Sequence, residues 1–438
     1  MGWRSACKNK LTTAAEAVKV IKSGDCVIPG HAASESELLV AAMAARYQEL
    51  ENVSVVQGVA IGSAPYCRPE MAGHFVLRSM FAGPHTREAL WENRGSFFPL
   101  LFHEFPRAFR EGYIGADVFL TMVSPPDADG LCSLGVSVDH SRALVECART
   151  VIAEVNPNVP RTFGDSLVHV DDLDILVEGA GPLTELTRFA VQDAVTQAIG
   201  RNVAALIKDG DTVQMGTGTI PDAILRYLRD KKDLGIHSEM FSDGLIDLIE
   251  TGVVNGQKKT LHPGKIVVTF AEGTKSLYEY LHQNPRFEFH PVDYVNNPYV
   301  IAQNDNMVAI NSALEIDLDG QVCAEAIGGR QFSGIGGQLD FLRGAAAAKN
   351  GRPVIALPST AKRGALSRIS CQLQPGTPVT TTRNDVHWVV TEYGAANLFC
   401  KTQSERAEAL IGIAHPKFRP VLRDQYKAAY GRDLRLSV

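Results

Sequence analysis

Two similar open α/β domains with largely parallel sheets, related by internal duplication, are the fold class the sequence predicts, and three observations carry that prediction. Residues 20–39 (VIKSGDCVIPGHAASESELL) and 206–225 (LIKDGDTVQMGTGTIPDAIL) share a grammar. Ile21, Lys22, Gly24, Asp25, Val27 and Gly30 match Ile207, Lys208, Gly210, Asp211, Val213 and Gly216 at a constant displacement of 186 residues. A fainter echo links residues 116–135 with 307–326: each has an apolar run, an Asp-Gly turn (Asp129-Gly130, Asp319-Gly320) and a second strand. Short apolar runs also alternate with helical segments such as 34–46, 183–201 and 340–349, the pattern of layered α/β domains around a parallel sheet. The join is expected within 177–186, where Gly179, Gly181 and Pro182 precede a helix, giving domains 1–185 and 186–438. No low-complexity linker separates them, so the halves are expected to pack together.

A chain of 438 residues is too long for one ordinary core and suits two domains of about 200 residues each. Hydrophobic content of 45% and charged content of 21% are globular values. No window reaches the roughly 18 uninterrupted apolar residues of a membrane span, so no membrane partner is expected. A net charge of -6, with Lys and Arg scattered, argues against a nucleic-acid partner. The eight cysteines stand far apart, without a CxxC pair or a histidine at ligand spacing, so neither a metal nor a disulfide framework is expected. Arg4, Lys8 and Lys10 are not followed by an apolar core, and Ala6 stands where a myristoylation pattern wants Ser or Thr. The expected compartment is a reducing cytoplasm.

In chain order, the first half offers a short buried strand through Cys26 to Ile28, a polar Gly30-His31 loop and a helix. Its echo reads as a strand ending at Met215, a loop containing Gly216 and Gly218, and a helix with Pro221 as its first residue and Ile220, Ile224 and Leu228 on the buried stripe. Amides at such a helix start can hold a phosphate or a developing oxyanion. The dinucleotide fingerprint would need glycine in place of Pro221, so no nucleotide cofactor is expected. Next comes GIHSEMFSDG, residues 235–244. Read with period two, Ile236, Ser238 and Met240 share one face of a strand, while His237, Glu239 and Phe241 share the other. With the ordinary pKa of about 4.3, Glu239 is expected to be ionised at neutral pH and able to act as a nucleophile without a base.

Further on, Asn311 ends an apolar run and can point its amide into a site, or cap a strand. Ser333, Gly334, Gly336 and Gly337 precede a helix beginning near Asp340, and such a loop permits close backbone approach to a ligand or forms a plain turn. Lys362, Arg363 and Arg368 suit phosphate binding or simple solvated charge. GxSxG elbows, HExxH helices and P-loops are absent from the sequence.

Together GTGTIPDAI, GIHSEMFSDG, NSALEIDLDGQV and SGIGGQLDFLRGA, with VSPPDADGLCSLG, AEVN and PRTFGDS in the first half, resemble the acetyl-CoA hydrolase/transferase family, and within it the 4-hydroxybutyrate and butyrate CoA-transferase branch. The resemblance covers nearly the whole chain. It implies two CoA-transferase-like domains with coenzyme A, as acyl-CoA substrate, and a short carboxylic acid at their interface, no metal, and a homodimer or homotetramer. It gives Glu239 the part of the nucleophile and Asn311 that of a donor to the carbonyl oxygen. Gly336 and Gly337 would supply backbone donors opposite Glu239. The amides of Gly216, Thr217, Gly218, Thr219 and Ile220 would line the thioester site, with Gly334 and Lys362 also contacting coenzyme A. The implied reaction moves CoA from 4-hydroxybutyryl-, butyryl- or acetyl-CoA to an acid such as acetate through a glutamyl-CoA thioester. The alternatives are hydrolysis at the same site, another acid such as itaconate or succinate, and a non-catalytic metabolite sensor.

Overall fold

The computed structural model describes residues 3–186, 193–431 and 433–434. Two eight-stranded sheets organise it. The first contains β1 (Leu11–Thr12), β2 (Cys26–Pro29), β3 (Val53–Gln57), β4 (Phe75–Ser79), β5 (Gly95–Phe97), β6 (Val118–Val123), β7 (Thr150–Val155) and β8 (Ile175–Glu178), in the order β1-β8-β7-β6-β2-β3-β4-β5. The second contains β9 (Thr212–Met215), β10 (Gly235–Phe241), β11 (Ile266–Ala271), β12 (Phe287–Phe289), β13 (Met307–Ser312), β14 (Arg352–Ala356), β15 (Trp388–Thr391) and β16 (Gly394–Asn397), in the order β12-β11-β10-β9-β13-β14-β15-β16. Read from opposite ends, the two orders coincide for seven strands; the eighth, at one edge, is the first strand of its half in one sheet (β1) and the last in the other (β16). Every pairing is parallel except the hairpin β15–β16, so β1 and β16 occupy equivalent edges with opposite sense. The duplication expected from the 186-residue displacement is therefore a duplication of topology.

Strands β6 and β11 are buried along their whole length, as parallel strands covered on both faces must be. Helices cover the sheets: α1 (Glu37–Ala45), α2 (Ala194–Ala204), α3 (Thr219–Arg226), α4 (Val292–Val295) and α5 (Gln338–Ala347) are the ones that bear on the site. Their boundaries refine the sequence expectations through capping. Ser36 caps α1 by accepting from the Leu39 amide, so the first helix starts later than residue 34. Asp193 caps α2 in the same way through Thr196; of the helix expected over 183–201, residues 187–192 lie outside the described residues. Gly218, at φ 129°, precedes α3, so Pro221 is its third residue. Gly337 precedes α5, two residues before the expected start at Asp340.

The halves pack as expected. One apolar cluster includes Phe102, Phe105 and Val138 from the first half and Phe241, Phe270 and Phe289 from the second. Backbone bonds cross the seam: Val138 donates to Thr269 O at 3.0 Å, and the Ala271 amide donates to Val136 O at 2.8 Å.

Candidate active site

Strand order in the second sheet reverses at β9: β10, β11 and β12 follow to one side, while β13, β14 and β15 return on the other. Ligands of open α/β sheets bind at the carboxyl ends of strands where the order switches. A cavity of about 210 Å³ opens there, lined by Gln214 to Thr217 after β9, Glu239 and Met240 of β10, Ile310 to Ser312 of β13 and the loop Ser333 to Gln338 before α5. Gly216, Thr217, Glu239, Asn311, Gly334, Gly336 and Gly337, scattered along the sequence, therefore meet in one place. A second cavity, of about 380 Å³, shares Thr217 and continues past Gly218, Arg226 and Arg229. Thr219, Ile220 and Lys362 line neither cavity. Lys362 is exposed and sits with φ 50° in the turn between the short strands Thr360–Ala361 and Leu366–Ser367. Arg368 is half-buried, and its Nη1 donates to Ala313 O at 3.4 Å, a structural use of the charge.

Glu239 is half-buried and lines the cavity. The Asn296 Nδ2 donates to its Oε2 at 2.6 Å. His237, two residues earlier on β10, is fully buried and makes a 2.8 Å bond through Nε2 to Val295 O. Burial drives the His237 pKa down to about 3, so the ring is neutral and Nε2 carries the donated proton. One strand thus grips consecutive residues at the end of α4, and the second grip presents an amide to the carboxylate. Phe241, the last residue of β10, is buried and stacks edge-on against Phe287.

The glycine loop has two constraints. A Cβ on Gly337 would lie 2.0 Å from the Glu239 Oε2 and 2.2 Å from the Asn296 Nδ2, so only glycine allows this approach. A Cβ on Gly334 would meet Phe81 and Met80 O, both in the first half. That half braces the loop: the Ala82 amide donates to Ser333 O at 3.1 Å, and the Phe102 amide to Gly336 O at 3.4 Å. The His103 Nδ1 lies 2.7 Å from the Asp340 Oδ1, in the first turn of α5. Although burial disfavours its charge, the hydrogen bond that His103 donates to Asp340 raises the His103 pKa; burial raises that of Asp340 in spite of His103.

These surroundings change the electrostatic expectation. Burial pushes the Glu239 pKa up to about 7; the nearby Asp340 charge adds to the shift, while the Asn296 bond and the His31 charge oppose it. At neutral pH the carboxyl is divided between its two forms, whereas the ordinary value of about 4.3 made it fully ionised. Asn311 also differs from expectation in detail: it lines the cavity, but its Nδ2 donates to Gln214 Oε1 at 3.1 Å. The donor on the Glu239 carboxylate is Asn296, in a stretch the sequence reading passed over.

The descriptions "Acetyl-CoA hydrolase/transferase N-terminal domain" and "Acetyl-CoA hydrolase/transferase C-terminal domain" match residues 2–184 and 273–426. A protein named 4-hydroxybutyrate coenzyme A transferase, from Clostridium kluyveri, is 50% identical over 430 residues, covering 98% of this chain and 100% of that one. The chain belongs to the acetyl-CoA hydrolase/transferase family. Two further members extend the likeness. A butyryl-CoA:acetate CoA-transferase of Anaerostipes caccae is 37% identical over 99% of each chain. A solved structure titled 4-hydroxybutyrate CoA-transferase, from Porphyromonas gingivalis, superposes with a TM-score of 0.84 at 42% identity, covering 98% of this chain and 100% of that one. Glu239 lies between the two matched family stretches, so its place in this acetyl-CoA hydrolase/transferase rests on the geometry above. The family also accounts for coenzyme A thioesters as the substrates.

Proposed function

We propose that this chain is a carboxylate CoA-transferase in which Glu239 is the nucleophile and the two domains are residues 1–185 and 186–438. The observation that carries the assignment is the Glu239 carboxylate at the cavity wall, held by Asn296 and approached by Gly337 at a distance only glycine permits. The Glu239 carboxylate attacks the thioester carbonyl carbon of an acyl-CoA. The C–S bond breaks, leaving an acyl-glutamyl anhydride and CoA thiolate. The thiolate attacks Cδ of Glu239 and expels the donor acid as a carboxylate, leaving a glutamyl-CoA thioester. An acceptor carboxylate attacks that Cδ and releases the thiolate, which then attacks the acceptor acyl carbon and regenerates Glu239. Each step exchanges one activated acyl group for another, so the protein's share is positioning and oxyanion stabilisation.

The amides of the Gly336-Gly337 turn and of Gly216 to Gly218 are the donors for the developing oxyanion, with Asn311 on the same wall. The thioester arm runs through the smaller cavity, and the larger one, lined by Arg226 and Arg229 together with Asp222, Asp243, Asp247 and Glu272, continues from it through Thr217. Short acids of the 4-hydroxybutyrate, butyrate and acetate kind suit a cavity of this size, and a homo-oligomeric cytoplasmic enzyme is the form we infer. Among the described residues no helix is long and apolar enough to cross a membrane.

The test is to mix the protein with butyryl-CoA and a panel of short carboxylates and follow new CoA thioesters by mass spectrometry. Transfer to acetate or 4-hydroxybutyrate should far exceed thiol release without an acceptor. In the absence of acceptor, coenzyme A should be found on the peptide carrying Glu239. Thiol release as fast as transfer would replace this reading with hydrolysis, and absence of both would leave a binding protein.

A further inference from the structure

We propose that His262, Glu288 and His290 form a divalent transition-metal site, with a donor set suited to zinc, on the seam between the two halves and separate from the Glu239 cavity. One ligand atom from each lies within 4.8 Å of the other two. The His262 Nδ1 is 2.6 Å from the Glu288 Oε2, and the His290 Nε2 is 3.4 Å from that same oxygen. Tetrahedral zinc with bonds of about 2.0–2.1 Å places its ligands about 3.3 Å apart, so one contact needs to open by several tenths of an ångström and another already fits. Two imidazoles and a carboxylate leave a fourth position for water, a donor set that favours zinc over magnesium or calcium.

The outer contacts match what such a site requires. A metal-bound imidazole usually engages a carboxylate, carbonyl or water through its other nitrogen, which fixes its tautomer and orientation. Here the His290 Nδ1 is 2.8 Å from the Asp165 Oδ2, and the His262 Nε2 is 2.7 Å from the Tyr294 hydroxyl. Both rings therefore turn their remaining nitrogen toward one carboxylate oxygen. Lys265 Nζ, 3.8 Å away, faces the other oxygen and leaves Oε2 to the histidines. The three ligands keep only modest exposure, with side chains 24%, 21% and 13% accessible for His262, Glu288 and His290, enough for an ion to enter.

The elements explain why the cluster forms. Glu288 and His290 are two residues apart at the end of β12 and share a face of the strand. His262 is held at φ 49° in the turn before β11. The Asp165 partner arrives from the first half, whose backbone joins β12 through Phe289 N to Phe163 O and Asp165 N to Phe289 O, both 2.8 Å. Tyr294 belongs to α4, the helix whose C-cap is Asn296. A metal here would tie both halves and the base of α4 together.

The test uses the full chain, stripped with a chelator and titrated with zinc chloride alone by calorimetry, then with cobalt(II) by absorption. The expected result is saturable binding, a rise in melting temperature, and a cobalt spectrum lacking thiolate charge-transfer bands. Glu288→Gln, which keeps the side-chain shape, and His290→Ala should each weaken binding at least about a hundredfold, and Asp165→Asn about tenfold. Folding of each variant is checked by circular dichroism, and Glu288→Gln decides the matter if His290→Ala misfolds. Absence of saturable zinc binding, equal binding by Glu288→Gln, or a thiolate-dominated cobalt spectrum would overturn the site and leave a hydrogen-bonded cluster.

Discussion

The two halves share a strand order and differ in what stands at the ends of equivalent strands. Cys26 pairs with Ser54 and Thr212 with Gly235. Cys26 and Thr212 are equivalent by the 186-residue displacement, so Ser54 corresponds to Gly235 and, four residues on, Gly58 to Glu239. A Cβ on Gly58 would lie 2.6 Å from the His31 ring. The first-half cavity at the ends of β6, β7 and β8, about 310 Å³, is lined by Glu35, Glu37, Glu154 and Glu178. Four acidic side chains line it, whereas the second-half cavity between β9, β10 and β13 is lined by the one carboxylate of Glu239. The first half, in turn, braces the glycine loop of the second through segments 80–87 and 102–103.

The largest expected effect tests that asymmetry directly. Glu239→Gln keeps the Asn296 contact and the side-chain volume but removes the nucleophile, so transfer should fall by at least about a thousandfold, with no coenzyme A on the peptide. Adding Gly58→Glu to that variant should restore nothing, because the new side chain collides with His31 before it reaches a cavity. Recovered turnover in the double variant would make the first half a latent second site.

Gly337→Ala comes next. Its methyl would press on the Glu239 Oε2 and Asn296 Nδ2, and a displacement near 1 Å costs about a hundredfold when positioning carries catalysis. Gly216→Ala is the contrast on the same cavity: nothing lies within 4 Å of a Cβ there. It should leave the melting temperature unchanged and raise KM for the thioester, since only a ligand would meet the methyl. Equal kinetics for Gly216→Ala and wild type would remove the β9 loop from the thioester path.

The pH profile sharpens the comparison further. The nucleophile must be anionic, so kcat/KM should fall as pH drops through about 7, the Glu239 value in the free enzyme. The Asn296 bond favours the anion. Asn296→Ala should therefore move the half-maximal pH upward, and Asn296→Asp, which adds a like charge, should move it by about one pH unit or more. A profile still centred near 4 to 5 in wild type would mean that burial does not govern the carboxyl, and an Asn296→Ala profile that coincides with wild type would remove the Asn296 bond from the account.

These residues also show how far the sequence could be read. The repeat was legible because topology tolerates few changes in the Ile-Lys-x-Gly-Asp turn that feeds a buried strand. Glu239 and Gly337 could be singled out because a strand-end carboxylate and a glycine-rich turn leave local marks, while their parts came from the family resemblance. Asn296, Asp340 and His103 were not: their roles arise from contacts between elements distant in sequence, and no local pattern distinguishes Asn296 from its neighbour Asn297, which caps a helix. The pKa of Glu239 was misjudged for the same reason, since burial is a property of the assembled halves. His262 lies a strand and a helix before Glu288, which hides a three-residue cluster from any search by spacing, and Glu288 and His290, two residues apart, carry no mark of their own.

The smallest effect belongs to the first-half cavity and concerns stability. Burial, reinforced by the neighbouring Glu37 charge, pushes the Glu35 pKa from the ordinary carboxylate range up to about 8, while the Gln57 Nε2 bond at 2.9 Å opposes the shift. The folded protein therefore holds a proton that the unfolded chain releases at lower pH. Unfolding becomes easier as pH rises from about 5 to 8, and above 8 the whole penalty for burying the anion is present. Glu35→Gln mimics the protonated form and carries no such penalty. It should melt with wild type near pH 5, melt a few degrees higher at pH 8, and flatten the slope between. A variant whose melting temperature follows wild type across that window would show that Glu35 is already ionised and solvated in the fold. The first-half cavity would then differ from the second only in charge, and its depth would contribute nothing to the contrast.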